Sequence, residues 1–183
     1  MTRLILLLLL AGCTASPVPT LYTLAAEPGV PMTTPRISLE LRRIGLAGYL
    51  DRPEIVRGTV QYRLQVAEQD RWGEPLGRML DRVLTEDLVT RLPEAAVFAE
   101  SGAISTRPDM VLEIDIQRLD ADAEGALVLL AQIALRPEGG TASAETLRLR
   151  VALPAKASAR DHVAAMSAAL GHLADAVARK ISK

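Results

Sequence analysis

The stretch "MVLEIDIQRLDADAEGALVLLAQIAL" (residues 110–135) holds two kinds of strand pattern. Its first half alternates. Met110, Leu112, Ile114 and Ile116 fall on one face, and Glu113, Asp115 and Gln117 on the other. A period of two is the signature of a half-buried strand. The second half, residues 126–135, is apolar on both faces until Gln132. That suits a central strand, or one whose outer face a partner covers.

Three more stretches alternate in the same way. "ISLEL" (residues 37–41) aligns Ile37, Leu39 and Leu41. "TVQYRLQV" (residues 59–66) aligns Val60, Tyr62, Leu64 and Val66 against Gln61, Arg63 and Gln65. "ETLRLRVAL" (residues 145–153) aligns Leu147, Leu149, Val151 and Leu153 against Arg148 and Arg150. "AAVFAES" (residues 95–101) could form a further short strand. Two segments carry helical spacing instead. Residues 75–92 place Leu76, Met79, Leu80, Val83, Leu84 and Leu88 on one stripe, with Pro75 in the first turn and Pro93 as a stop. Residues 158–181 place Val163, Met166, Leu170, Leu173 and Val177 at spacings of three and four. Ser158 with Asp161 forms a capping-box pattern, and Arg179, Lys180 and Lys183 suit the negative end of the macrodipole. The second helix is rich in Ala, so another element can approach its backbone closely. Strands, helix, strands, helix predicts an α+β domain: a mainly antiparallel sheet with two helices packed on one face.

The chain has 183 residues, enough for one domain with a real core. It has one Trp, one Phe and three Tyr, so aliphatic side chains must build that core. The net charge is −1 with both signs interspersed, which gives no footprint for nucleic acid and no polybasic patch for anionic lipid. Two His and one Cys leave little for a metal site of the usual kind.

Near the start, Arg3 is followed by an apolar run to Gly12 and then by Cys13. The run of nine residues would make about 14 Å of helix at 1.5 Å per residue, against a bilayer core of roughly 30 Å. It therefore reads as a secretory signal rather than a span. Leu10-Ala11-Gly12-Cys13 resembles the bacterial lipobox. The resemblance implies cleavage before Cys13, a thioether to diacylglycerol and N-acylation of the new terminus. No other cofactor is implied. Residues 1–12 are then the signal peptide, and residues 13–35, with five prolines, an extended tether in which residues 21–24 could add an edge strand. Residues 36–183 form the domain. Thr14, in place of Asp after the cysteine, favours the outer membrane by analogy with enteric bacteria.

Chemistry is sparse. No nucleophile elbow, P-loop, dinucleotide fingerprint or zinc spacing is present. His162 and His172 are ten apart on one expected helix and do not stack. Glu113 and Asp115 read as a solvated sheet face that could meet Arg148 and Arg150 across strands. Trp72 reads as a core or corner anchor, with a partner-binding role as the alternative. "GYLDRPEIVRG" (residues 48–58) crowds Tyr, Leu, Ile and Val into a Gly- and Pro-bounded loop. Tyr49, Leu50, Asp51, Arg52, Pro53 and Ile55 are the expected residues of an exposed partner-binding loop.

Tyr49 to Val56, followed by Arg71 to Leu76, and then Leu84 to Leu88, resemble the motifs of the PqiC/YmbA-type lipoproteins, the ABC-type transport auxiliary components. Leu21 to Leu24 matches that family's "YTL" segment. The chain departs from the pattern at Ala47-Gly48, where a proline is usual, and at Gly58. The resemblance implies a non-enzymatic, periplasm-facing accessory, lipid-anchored in the outer membrane. Its implied partner is an MCE-domain (PqiB-like) protein of an intermembrane phospholipid transport system that supports envelope integrity. The resemblance also implies a ring-like homo-oligomer. The alternative reading is a lipid-binding carrier that itself holds an acyl chain.

Overall fold

The computed structural model describes residues 18–104 and 106–182. The elements in chain order are β1 (Thr20–Tyr22), β2 (Ser38–Leu41), β3 (Gly45–Leu46), β4 (Glu54–Val60), β5 (Arg63–Trp72), α1 (Leu76–Arg91), β6 (Ala96–Ala99), β7 (Met110–Ala121), β8 (Ala126–Pro137), β9 (Ser143–Ala152) and α2 (Ala159–Ile181). Among the described residues, the nine strands form one sheet and the two helices lie against it, as an α+β reading requires. The long ladders, β4–β5, β7–β8 and β8–β9, are antiparallel. The short pairings of β1 with β5, of β2 with β6, and of β2, β3 and β4 with β7 are parallel. The sheet is thus mixed rather than purely antiparallel.

β7 and β8 are its spine. β8 is paired along both edges, with β7 on one side and β9 on the other, which is why it reads as a central strand. Leu127, Leu129, Ala131, Ile133 and Leu135 face the helices and are buried. A bulge between Ile116 and Arg118 shifts the phase of β7. Leu112, Ile114 and Ile116 fill the core before it and Leu119 after it. Opposite them lie the apolar stripes of α1 (Met79, Leu80, Val83, Leu84, Leu88) and α2 (Val163, Met166, Leu170, Leu173, Val177), all buried. The capping box of α2 is formed: the Ser158 hydroxyl accepts from the Asp161 N–H, and the Asp161 carboxylate accepts from the Ser158 N–H at 2.7 Å. His162 is buried, with Nδ1 2.8 Å from the Ser158 carbonyl oxygen, while His172 is exposed.

Two expectations change. Residues 59–66 are not one strand. They are a hairpin, with β4 ending at Val60, β5 starting at Arg63, and a two-residue turn at Gln61 and Tyr62. Both turn residues adopt positive φ, 47° and 68°. That is the geometry a two-residue hairpin demands, but it is carried out without the usual Asn or Gly. Residues 20–35, expected within a tether, are packed. β1 pairs with β5, and residues 23–35 form a strap across the helices, with Leu24 and Thr34 buried. The prolines keep the strap extended, and its polar backbone is met by the domain. Ala25 N–H donates to the Ser167 hydroxyl (3.2 Å), Glu27 N–H to Asp87 Oδ1 (2.8 Å) and Met32 N–H to the Arg91 carbonyl (2.8 Å). The close approach expected at the Ala-rich helix is made by this strap, which passes Gly171 so tightly that an added Cβ would sit 2.9 Å from Glu27 Cβ.

Candidate functional site

Cys13 lies outside the described residues. The nearest described features are Val18 and Leu21, both exposed beside and on β1. No helix among the described residues is long and apolar enough to cross a membrane.

The expected binding loop divides into a buried and an exposed half. Leu50 and Ile55 belong to the core, at 1% and 0% exposure. This explains why apolar residues crowd that loop: they point inward from a short turn and from β4. Tyr49 is half-buried, packed against the edge of the core near the end of β7. Burial pushes its phenol up to about 12, the Asp120 carboxylate adds to the push, and the Leu119 backbone and Arg118 oppose it. Tyr49 is therefore a neutral phenol beside the Arg118–Asp120 ion pair. Asp51 and Pro53 remain exposed, with Arg52 partly so and 3.4 Å from Glu54.

Trp72 joins this exposed half to the core. Its indole is buried, and the Trp72 backbone N–H donates to the Pro53 carbonyl at 2.8 Å. Asp51, Arg52, Pro53, Trp72, Glu74 and Pro75 line an open groove of about 340 Å³. Glu74 is held by Arg82 at 2.9 Å. The groove is thus a rigid corner between the β3–β4 loop and the start of α1, with charged walls and the edge of an aromatic floor.

A second constellation has no counterpart in the sequence reading. Arg91, in the last turn of α1, is 1% exposed. It pairs with buried Asp87 one turn earlier (3.4 Å) and with Asp175 on α2, and donates to the carbonyls of Glu27 and Pro28 in the strap. Burial pushes the Asp87 carboxyl up to about 6, against the opposing pull of the Glu27 N–H and Arg91. An i, i+4 Asp–Arg pair ordinarily sits on a solvated helix face, so only the strap's position could have revealed that this one is buried.

The carboxylates Glu113 and Asp115 do not meet Arg148 and Arg150. β8 lies between β7 and β9, so Glu113 instead accepts from Arg42 (3.1 Å) and Arg136 (2.7 Å), while Arg150 reaches Asp122 (2.7 Å). A groove of about 750 Å³ follows this outer face, lined by Arg42, Glu113, Asp115, Gln132 and Thr146 among others. Among the described residues, no group of three or more His, Cys, Asp or Glu is placed to hold a metal ion.

Open grooves with charged walls lie on an α+β domain whose sheet is backed by two strapped helices. The model of the ABC-type transport auxiliary lipoprotein components matches residues 20–178, and the chain belongs to that family. The match begins at β1, so it takes in the strap as well as the sheet. The fold is shared with a crystal structure of an uncharacterized protein, at TM-score 0.76 and 19% identity, covering 91% of this chain and all of that one. It is also shared with protein XCC0632 from Xanthomonas campestris, of family DUF330, at TM-score 0.67 and 20% identity, covering 86% and 92%. No curated protein matches the chain. The resemblance carried by the loop and the Arg-Trp segment is borne out at the level of the family, and the protein is an auxiliary component of ABC-type transport.

Proposed function

We propose that this auxiliary component is anchored by lipid on Cys13 to the periplasmic face of the outer membrane, where it serves an MCE-domain, PqiB-like partner in intermembrane phospholipid transport. The family match over residues 20–178 carries the reading. The Leu10-Ala11-Gly12-Cys13 motif supports the anchor, since two or three acyl chains hold a protein on a membrane where one holds it marginally. The role is non-enzymatic: the domain supplies binding surface and the partner supplies the conduit. Its contact surface is the exposed half of the 48–58 loop, namely Asp51, Arg52 and Pro53 over Trp72, and copies of the chain assemble as a ring that matches a ring-shaped partner.

The deciding experiment is affinity purification of the full-length protein from membranes in mild detergent. Recovery of an MCE-domain protein, lost in Asp51→Arg/Arg52→Glu, is the expected result. Recovery of unrelated proteins alone overturns the partnership. In the same cells Cys13→Ser is expected to move the protein from the membrane fraction to the soluble periplasm, and unchanged fractionation overturns the anchor.

A further inference from the structure

The tip of the β4–β5 hairpin has no role in the reading above. Gln61 and Tyr62 form its turn with φ of 47° and 68°. Side chains rarely adopt that region, and a bulky aromatic there is an outlier that the surrounding structure has to sustain. The result is display: Tyr62 is 103% exposed, and Val60 beside it is 45% exposed. A phenol on an apolar ring, followed by Arg63, is the chemistry that settles at the headgroup level of a bilayer.

The direction of the chain supplies the second observation. β1 is parallel to β5, with Thr20 opposite Asp70 and Tyr22 opposite Trp72. Read backwards, β1 points along β5 towards the hairpin tip. Tyr62 stands eight residues before Asp70, about 26 Å along the strand at roughly 3.3 Å per residue. Cys13 stands seven residues before Thr20, a reach of at most about 25 Å. A lipid on Cys13 therefore keeps Thr20 within at most about 25 Å of the bilayer, and β1 enters the sheet from the direction of the hairpin tip.

We propose that the Gln61–Tyr62 tip seats in the headgroup region of the bilayer that holds the lipidated Cys13, as a second, non-covalent contact that fixes the tilt of the domain. This rests on the lipid-anchor reading of Cys13. The same end of the molecule carries Arg57 and Lys156 alongside Asp122 and Glu124. Its charge is mixed, so the contact is interfacial and insensitive to salt rather than polybasic.

The test uses the full-length lipidated protein in vesicles of phosphatidylethanolamine and phosphatidylglycerol. Cys13 is the sole cysteine and its thiol is consumed by the lipid, so an introduced cysteine is labelled alone. An environment-sensitive fluorophore on Gln61→Cys is expected to shift to the blue. A headgroup-level nitroxide lipid should quench it at least twofold more than a label on Thr141→Cys at the far end of the sheet. Adding Tyr62→Asp should abolish the difference. Arg63→Cys, just outside the turn, repeats the measurement if Gln61→Cys misfolds. Protein that floats with vesicles while the two labels are quenched alike overturns the tip contact alone. Protein that does not float overturns the anchor, and the tip contact with it. A photoreactive residue at position 62 that captures protein and no lipid in cells also overturns it.

Discussion

Arg91 of α1 and Asp175 of α2 are ion-paired, and the strap's Glu27 and Pro28 carbonyls accept from the same guanidinium. One buried side chain thus joins both helices to the segment that leads towards Cys13. Breaking such a pair leaves an uncompensated charge and costs about 3–5 kcal/mol. Arg91→Met should therefore destabilise the domain by that amount, since Asp87 would be stranded at 0% exposure. The double variant Asp87→Leu/Arg91→Met should recover most of the loss. It keeps a residue of roughly 1 kcal/mol because the Glu27 N–H loses its acceptor. Urea midpoints with an unchanged m-value check both.

Asp87 also makes stability depend on pH. A carboxyl raised from 3.8 to about 6 by burial binds its proton more tightly in the fold than in the unfolded chain. Its contribution is complete below pH 3.8 and is lost as the pH rises through about 6. About two pKa units correspond to roughly 3 kcal/mol. Asp81, also raised by burial, acts in the same sense, whereas Asp109 and Asp161, lowered by bonds from Ser38 and Ser158, act in the opposite one. The clean measurement is therefore a difference. Asp87→Asn should be about 2–3 kcal/mol more favourable relative to wild type at pH 7 than at pH 4, by urea unfolding at both.

Three glycines separate space from conformation. A Cβ on Gly29 would lie 2.3 Å from Arg91 Cζ, and the guanidinium is too well held to swing aside. Gly29→Ala should cost about 1–3 kcal/mol and speed hydrogen exchange at the Met32 N–H, which donates to the Arg91 carbonyl. Gly171→Ala meets Glu27 Cβ at 2.9 Å and should likewise loosen the strap, despite the better helix propensity. Gly77 in α1 has nothing within 4 Å of an added Cβ, so Gly77→Ala should stabilise by roughly 0.5–1 kcal/mol.

Local signals were readable and non-local ones were not. The Ser158–Asp161 cap and the stripes of α1 and α2 follow from spacing within one helix. The central position of β8 follows from its two apolar faces. The strap was hidden because its three prolines, Pro28, Pro31 and Pro35, look alike in a free tether and in a segment held by another element's polar groups. The partners of Glu113 were hidden because they depend on strand order, which alternation does not encode. In the candidate site, Leu50 and Ile55 read as exposed binding residues but belong to the core, because a short loop shows its composition in sequence and not its inward side.

That division has a practical consequence for the partner surface. Leu50→Ala should cost about 2–5 kcal/mol as a buried truncation, and a charged residue there should prevent folding. Asp51→Ala, at an exposed position, should stay within about 0.5 kcal/mol of wild type. Loss of partner recovery in Asp51 and Arg52 variants of unchanged melting temperature therefore reports contact. The same loss in a Leu50 variant reports unfolding.

The hairpin turn sets stability against display. Gln61 and Tyr62 hold positive φ where Asn-Gly is the favoured pair, so replacing both with Asn-Gly relieves conformational strain in the turn. The variant should be more stable than wild type by about 1 kcal/mol, read as a higher urea midpoint. Gln61→Asn alone, which keeps the aromatic, should give part of that gain. If the tip meets the bilayer, the double variant should also lose its membrane-proximal quenching while the single variant keeps it. A turn that is strained only because its sequence drifted would gain stability in the double variant with no change in how the domain sits on the membrane.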